Sequence, residues 1–256
     1  MKLLRILSLI PACLSWSLAQ EIVPAKPESD TTTPPPAAPS AKPPIVRLDD
    51  ARCQIGEIIL NRMNREIRFP AKVNMTDGQI EYALILQKGN VHEAFLVTTS
   101  SPTHLNLAFA LLRYTPSPEL NSEIDDTGHP TGIYPEVSLP VKASARVAVE
   151  VEWTTAGTTH RVSLNEWFQL GSTQKPMEPG PWLYSGSDFS EGVYIPELTG
   201  NLMSVRLDGN AMLNFPGADN QSDPSWFPAP NLVPPVGTDV TVIISPFFKR
   251  KSLPTP

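Results

Sequence analysis

The feature that most constrains what this chain can fold into is the crowding of proline into residues 23–44. Eight of the 29 prolines lie there, interleaved mainly with alanine, serine, threonine and lysine. A segment of this composition has too little apolar surface to build a core, and it favours extended polyproline conformations. We therefore predict a Pro-rich disordered linker over residues 20–46 and expect the folded part of the chain to begin only after it.

The segment before the linker has the parts of a secretory signal peptide. Lys2 and Arg5 make a basic start, residues 6–18 form a largely apolar run, and a small-x-small pattern ends at Ala19. The apolar run is shorter than the about 20 residues that a membrane-spanning helix needs. We predict a signal peptide over residues 1–19, and hence an exported protein of the periplasm or the cell surface.

Cysteine usage limits the cofactors that the chain could hold. Its two cysteines are Cys13 and Cys53, and the first lies within the predicted signal peptide. Lipid attachment at Cys13 is an alternative, but Pro11 is awkward there and the apolar run continues beyond the cysteine, so we favour cleavage after Ala19. A single mature cysteine excludes an intramolecular disulfide and a cluster held by several cysteines of one chain. We predict no cofactor.

The charge balance speaks against nucleic acid as a partner. The formal net charge is −6 and the isoelectric point is near 5.3. Cleavage after Ala19 removes Lys2 and Arg5 and leaves −8. Nucleic-acid binding depends on neutralising phosphates with lysine and arginine, which an acidic chain does not favour. After signal cleavage we expect no transmembrane span, and the expected partner is an unidentified envelope protein or a small ligand.

Alternation of apolar and polar residues predicts strands in two blocks, 47–115 and 141–248. The predicted strands occupy residues 55–60, 65–69, 80–86, 91–98, 146–153, 181–187, 201–207, 212–215 and 238–245. We expect one domain over residues 47–248, with division into the two blocks as the alternative. The polar residues 120–140 between the blocks are expected to form a long loop, and residues 249–256 a solvated tail.

Two segments depart from the strand pattern. Ser101-Pro102 provides an N-cap and a first-turn proline, and the apolar residues that follow recur at helical spacing, which predicts an amphipathic helix over about 102–114. Ser163 and Glu166 match a capping box and predict a short helix near 164–169. The predicted fold class is therefore α+β, with a β-rich, mainly antiparallel sheet and one main helix.

Several stretches of the predicted domain are similar to one known family. They are residues 68–75 (RFPAKVNM), 78–82 (GQIEY) and 92–98 (HEAFLVT), followed by 151–153, 166–167, 182–187 and 234–238. Together they resemble the YdjY-like domain of exported bacterial proteins over residues 55–246. The resemblance implies a domain without an established activity. Some members carry a ferredoxin-type label, but one mature cysteine cannot hold the cysteine-ligated cluster that this label requires.

The candidate ligand-binding site lies around the segment that joins the strand at 91–98 to the main helix. It comprises His92, Glu93, Thr98, Ser100, Ser101 and His104. A strand that ends in hydroxyl side chains beside the free N–H groups of a helix N-terminus suits an anion or a carboxylate. In the structural alternative, which we favour, Ser100 and Ser101 only cap the helix, His104 faces solvent, and His92 forms a hydrogen bond to a neighbouring strand. His92 and Glu93 then face apart, because neighbouring residues of a strand point to opposite sides.

Aromatic and histidine residues outside this segment give weaker signals. The four tryptophans of the domain, Trp153, Trp167, Trp182 and Trp226, could line a binding groove, but we expect them to fill the core, with Trp226 the most exposed. The four histidines of the chain lack the close spacing of metal ligands, so we predict no metal site and no catalytic residue.

The function that these observations favour is a non-enzymatic binding or assembly module of the envelope. The alternative is a hydrolase or metal-dependent enzyme that uses His92, Glu93 and His104.

Overall fold

The computed structural model describes residues 45–217 and 226–248. The signal peptide, nearly all of the linker and the tail at 249–256 lie outside these ranges, so their predictions stay predictions. The described residues are rich in strands and contain few helices, which agrees with the predicted α+β class at that coarse level.

Sixteen strands run through the described residues. In chain order they are β1 Ile45–Arg47, β2 Arg52–Ile55, β3 Ile58–Asn61, β4 Glu66–Val73, β5 Tyr82–Leu86, β6 Ala94–Thr98, β7 Arg146–Thr155, β8 Thr158–Ser163, β9 Phe168–Leu170, β10 Trp182–Tyr184, β11 Phe189–Ser190, β12 Val193–Tyr194, β13 Asn201–Ser204, β14 Leu213–Asn214, β15 Trp226–Pro228 and β16 Asp239–Pro246. The described helices are α1 Pro102–Leu111, α2 Leu139–Ala145 and α3 Ile195–Thr199, with 3₁₀ helices at Val91–Glu93 and Leu164–Trp167.

Eight strands close into a barrel-like ring. Their order is β4, β16, β7, β10, β14, β13, β5 and β6, and β6 pairs again with β4. Six of the eight neighbouring pairs are antiparallel, whereas β5–β6 and β13–β14 are parallel. The antiparallel character is therefore as predicted, but closure of the sheet was not. Each predicted block supplies one continuous run of this ring: β5, β6 and β4 come from the first block, and β16, β7, β10, β14 and β13 come from the second.

Two arms extend from the ring. β3, β2 and β1 continue the sheet beyond β4 on one side, and β8 pairs with the second half of β7 on the other. Within this sheet, closing the ring leaves the free strand edges on the arms, which limits unwanted pairing with other chains; β11–β12 and β9–β15 form two separate small sheets.

The core lies inside the ring because three long strands turn alternate side chains inward. Burial alternates along β4 and β7, and β16 contributes a run of buried residues at its centre. Two aromatic groups complete the core near opposite ends of β4. They are Phe109, Tyr114 and Tyr184 near its start, and Phe95, Trp167 and Phe168 near its end.

The helices follow the predicted signals with shifted ends. α1 begins after the N-cap Ser101 as predicted, but it ends at Leu111 rather than near residue 114. Arg113 has a φ of +59°, which the helical conformation does not allow, and Arg65 donates hydrogen bonds to the carbonyl oxygens of Leu112 and Arg113. The short helix predicted near 164–169 is the 3₁₀ helix Leu164–Trp167, opened by the predicted capping box.

Three local predictions were wrong. The strand predicted over 55–60 is divided by a turn at Gly56 and Glu57, where Gly56 has a φ of +57°. The strand predicted over 91–98 begins only at Ala94. The loop predicted over 120–140 gives way to α2 at Leu139, with a proline in the first turn that suits a helix start. No helix among the described residues is long and apolar enough to cross a membrane.

Candidate functional site

Four of the six predicted site residues, Thr98, Ser100, Ser101 and His104, lie near the point where β4 exchanges one partner strand for another. Glu66, Ile67 and Arg68 pair with β3, whereas Lys72 and Val73 pair with β6. Between these stretches Pro70 has no N–H to donate, and its carbonyl oxygen accepts a hydrogen bond from Thr98 Oγ1 at 2.6 Å. β3 and β6 therefore diverge along β4, and the residues between them form what we call the fork cluster. Its members are Glu57, Thr98, Thr99, Ser100, Ser101, His104 and Glu197.

The first carboxylate of the fork cluster, Glu57, binds the hydroxyl groups at the end of β6. Its Oε2 accepts hydrogen bonds from Thr99 Oγ1 at 2.8 Å and from Ser100 Oγ at 3.3 Å. Thr98 Oγ1 in turn accepts from the backbone N–H of Ser100 at 3.1 Å. The hydroxyls that suggested a ligand are thus bound to groups of the chain itself.

The second carboxylate, Glu197 of α3, lies at the N-terminus of α1. Its Oε1 accepts hydrogen bonds from Ser101 Oγ and from the backbone N–H of Thr103, the latter at 3.0 Å. Ser101 Oγ also accepts from the backbone N–H of His104 at 3.3 Å, and Lys88 Nζ lies 3.9 Å from Glu197 Oε2. The helix N-terminus favours an anion, and here the anion is a side chain of the same molecule.

The ionisation of Glu197 reflects this setting. Burial acts to raise the pKa of its carboxyl group, but the hydrogen bonds from Ser101 and Thr103 and the charge of Lys88 outweigh it, so the pKa falls below the usual 4.5. Glu197 therefore stays a carboxylate at neutral pH and holds α3 to the start of α1.

His104 has a packing role that the sequence did not suggest. Its imidazole ring lies against Gly56 in the turn between β2 and β3, where a Cβ atom would come within 2.7 Å of His104 Nδ1. The turn therefore needs glycine twice over, since its φ is also positive. The His104 side chain therefore packs the β2–β3 turn against α1.

His92 and Glu93 lie away from the fork cluster. Both belong to the 3₁₀ helix Val91–Glu93, so the expectation that they face apart on a strand was wrong, and His92 Nε2 lies 3.4 Å from Glu93 Oε1. The His92 side chain is 72 % exposed. The pair lies just before β6 and Thr98 is the last residue of that strand, so the length of β6, about 16 Å, separates them. The six predicted residues thus form two separate groups at opposite ends of β6.

The described residues include no group of three or more histidine, cysteine, aspartate or glutamate side chains placed to hold a metal ion. Cys53 is free and partly buried in β2.

The tryptophan prediction was partly wrong. Trp226, expected to be the most exposed of the four, is buried in β15 and packs edge-on against Phe215 at 5.7 Å. Trp153 is partly exposed instead, and its ring stacks on His160 at 5.0 Å. The proline residues around Trp226 suggested a loop, but its strand pairs with β9.

A groove beside α2, which we call the α2 groove, is the second candidate site. Its volume is about 810 Å³. Its lining is mostly apolar and proline-rich, and it consists of Arg65, Pro140, Ala143, Ser144, Arg146, Pro179, Gly180, Pro181, Pro246, Phe247 and Phe248. Because its walls come from four separate segments of the chain, no single stretch of sequence revealed it.

Two arginines give the α2 groove positive charge, and both are held in place. Arg65 donates to the carbonyl oxygens of Leu112 at 2.9 Å and Arg113 at 3.1 Å, and its guanidinium lies 4.2 Å from the centre of the Tyr114 ring. Arg146 donates to the carbonyl oxygen of Lys142 at 2.7 Å and pairs with Glu119 at 2.9 Å. The hydrogen-bond acceptors of Arg65 are carbonyl oxygens rather than carboxylates, so the groove combines apolar walls with a cation.

The chain matches no family model, no curated protein and no solved structure. Its resemblance to the YdjY-like domain therefore stays a prediction.

Proposed function

We propose that the protein is an exported envelope protein that works as a non-enzymatic binding module, with the α2 groove as its binding surface. The observation that carries the proposal is that the polar groups of the two candidate sites differ in whether they already have hydrogen-bond partners within the chain. Polar groups of the fork cluster are bound to one another, whereas the α2 groove offers apolar walls and a cation to solvent. Concave, mainly apolar surfaces with a few placed polar groups are the usual form of ligand sites.

The chemistry of the α2 groove defines the ligand class. Proline, alanine and phenylalanine side chains favour an apolar or aromatic group, and Arg65 favours a negative charge beside it. A ligand that carries both features is the best fit.

The alternative of a hydrolase or metal-dependent enzyme receives less support. It requires His92, Glu93 and His104 in one site, but the first two lie before β6 and the third lies in α1 beyond its end. His104 is also engaged by packing against Gly56. Membership of the YdjY-like domain family remains part of the proposal and rests on the sequence segments named above.

Export is tested by N-terminal mass spectrometry of the protein recovered from the cell envelope. We expect a mature chain that begins at Gln20 and carries no lipid. A chain that begins at a diacylated Cys13, or one that keeps residues 1–19, would contradict this part of the proposal.

Binding by the α2 groove is tested with the fluorescent probe anilinonaphthalene sulfonate, an aromatic anion. We expect its emission to rise on titration with the folded protein. Ala143→Trp should remove most of the rise, because Ala143 is an exposed groove-lining position on α2 that a large side chain would fill.

The matched control is Gln79→Trp, an exposed position just before β5, near the end of β4 away from the α2 groove. It adds the same side chain and should leave probe binding unchanged. Equal probe binding by Ala143→Trp and wild-type protein would show that the groove is not the binding surface.

A further inference from the structure

The most exposed apolar side chains of the described residues lie in, or within two residues of, the segments that line the α2 groove. Met63 is 83 % exposed, Leu139 80 % and Phe248 80 %, more than any other large apolar side chain there. Met63 lies two residues before Arg65, Leu139 directly precedes Pro140, and Phe248 itself lines the groove. One of these three apolar side chains thus lines the groove, and the other two lie within two residues of a lining residue, although they come from distant parts of the chain.

Lysine and arginine residues lie near these exposed apolar side chains in the sequence. Arg65, Arg113, Lys142 and Arg146 lie in or next to the segments that line the α2 groove. Glu66, Glu119 and Glu178 are the acidic residues next to the same segments; Glu66 pairs with Arg68, and Glu119 pairs with Lys142 and Arg146. The local balance is positive in a chain whose net charge is −6.

We propose that the α2 groove end of the molecule docks on an anionic phospholipid surface, with Met63, Leu139 and Phe248 inserted among the lipids and the surrounding cations bound to the headgroups. This inference deepens the proposed function and rests on it, since it names the partner of the same surface. Apolar tips ringed by lysine and arginine are the arrangement that interfacial binding uses.

The geometry favours a lipid surface over a peptide partner. Residues that anchor a bound peptide usually lie in desolvated pockets, whereas these three side chains project into solvent around the groove. Side chains that project singly gain most from a soft apolar layer that they can enter together. Charge complementarity commits the surface to anionic lipid rather than neutral lipid.

The test is sedimentation of the full mature chain with vesicles. We expect it to bind vesicles of phosphatidylcholine mixed with phosphatidylglycerol and not vesicles of phosphatidylcholine alone. Added sodium chloride should weaken the binding, because salt screens the charges. The combined variant Met63→Ser, Leu139→Ser and Phe248→Ser should lower the vesicle partition coefficient about tenfold or more.

The matched control is Ile124→Ser, Ile133→Ser and Phe189→Ser, three apolar residues that are each more than half exposed elsewhere on the surface. This variant should bind anionic vesicles like the wild type. Circular dichroism melts should show both triple variants folded, because all six positions are exposed.

Two results would overturn the inference: absence of binding to anionic vesicles, or equal loss in the two triple variants. If the groove still binds anilinonaphthalene sulfonate while the vesicles fail, the lipid inference is wrong, the binding function stands, and a peptide becomes the partner to seek. If the probe also fails, the proposed function is wrong with it.

Discussion

The fork cluster and the α2 groove are opposite kinds of surface in one molecule. The fork cluster is rich in the side chains that form active sites, namely two carboxylates, several hydroxyls and a histidine, yet each carboxylate accepts hydrogen bonds from its neighbours. The α2 groove has few such groups, but it leaves apolar side chains in solvent. The residues that suggested chemistry therefore hold parts of the fold together, and the less reactive residues line the surface that we propose for binding.

The difference shows that a polar motif in a sequence has to be judged by where its hydrogen bonds go. Buried or half-buried polar groups must find partners, and a fold can supply them internally. Unpaired apolar surface has no such internal partner and is more informative about binding. If this account is correct, substitutions in the fork cluster change stability, whereas substitutions in the α2 groove change binding.

The largest effect on stability is expected from Gly56→Ala, which disrupts the contact between His104 and the β2–β3 turn. The new Cβ atom would lie 2.7 Å from His104 Nδ1 at a φ of +57°. We expect a loss of about 2–3 kcal/mol in the free energy of unfolding, measured by urea titration. Gly157→Ala is the matched control, since that turn also has a positive φ but nothing lies within 4 Å. It should cost only about 1 kcal/mol. Equal losses in the two variants would show that the contact between His104 and Gly56 does not contribute to stability.

Glu197→Ala should have the next largest effect. It leaves the hydroxyl of Ser101 and the N–H of Thr103 without their acceptor at the start of α1. We expect the free energy of unfolding to fall by about 1–2 kcal/mol. Glu136→Ala, at an exposed carboxylate of the long loop, should change it by less than about 0.5 kcal/mol. Comparable losses would mean that Glu197 does not hold α1 and α3 together.

The pH dependence of stability tests the same carboxylate in a second way. Because the folded-state pKa of Glu197 lies below 4.5, its charge stabilises the folded protein above that pH, and the contribution is lost as the pH falls through the lowered pKa. The stability difference between wild-type protein and Glu197→Gln should therefore be larger at about pH 7 than at about pH 3. A difference that grows on acidification would contradict the direction assigned to this pKa.

His92→Gln should have the smallest effect. The side chain is 72 % exposed, so its replacement should change the free energy of unfolding by less than about 0.5 kcal/mol. Binding of anilinonaphthalene sulfonate should also be unchanged, because His92 lies outside the α2 groove. Lost binding with an unchanged melting curve would restore His92 as a site residue.

Much of the fold could be predicted from local patterns, and much of the site could not. The alternation in residues 146–153, the Ser101-Pro102 helix start and the Ser163 capping box depend on neighbours in sequence, and each appears in the structure. Closure of the ring depends on β6 returning to β4, which no local pattern encodes.

The candidate site shows the same division. The preference of the residues around Ser101 for a carboxylate was foreseeable, but its source, Glu197, is 96 residues away in sequence. The α2 groove depends on Arg65, α2, the prolines before β10 and the end of β16 coming together. Its one sequence signal was the pair Phe247 and Phe248 beside a basic tail, which alone did not distinguish a binding rim from a strand end.

The central claim is that stability and binding reside in different surfaces, and one paired measurement tests it most directly. Glu197→Ala and Ala143→Trp are each examined by urea unfolding and by titration with anilinonaphthalene sulfonate. The account predicts that Glu197→Ala unfolds more easily and binds the probe normally, whereas Ala143→Trp is as stable as the wild type and has lost most of its probe binding. Normal stability with lost binding in Glu197→Ala would contradict it and make the fork cluster the site.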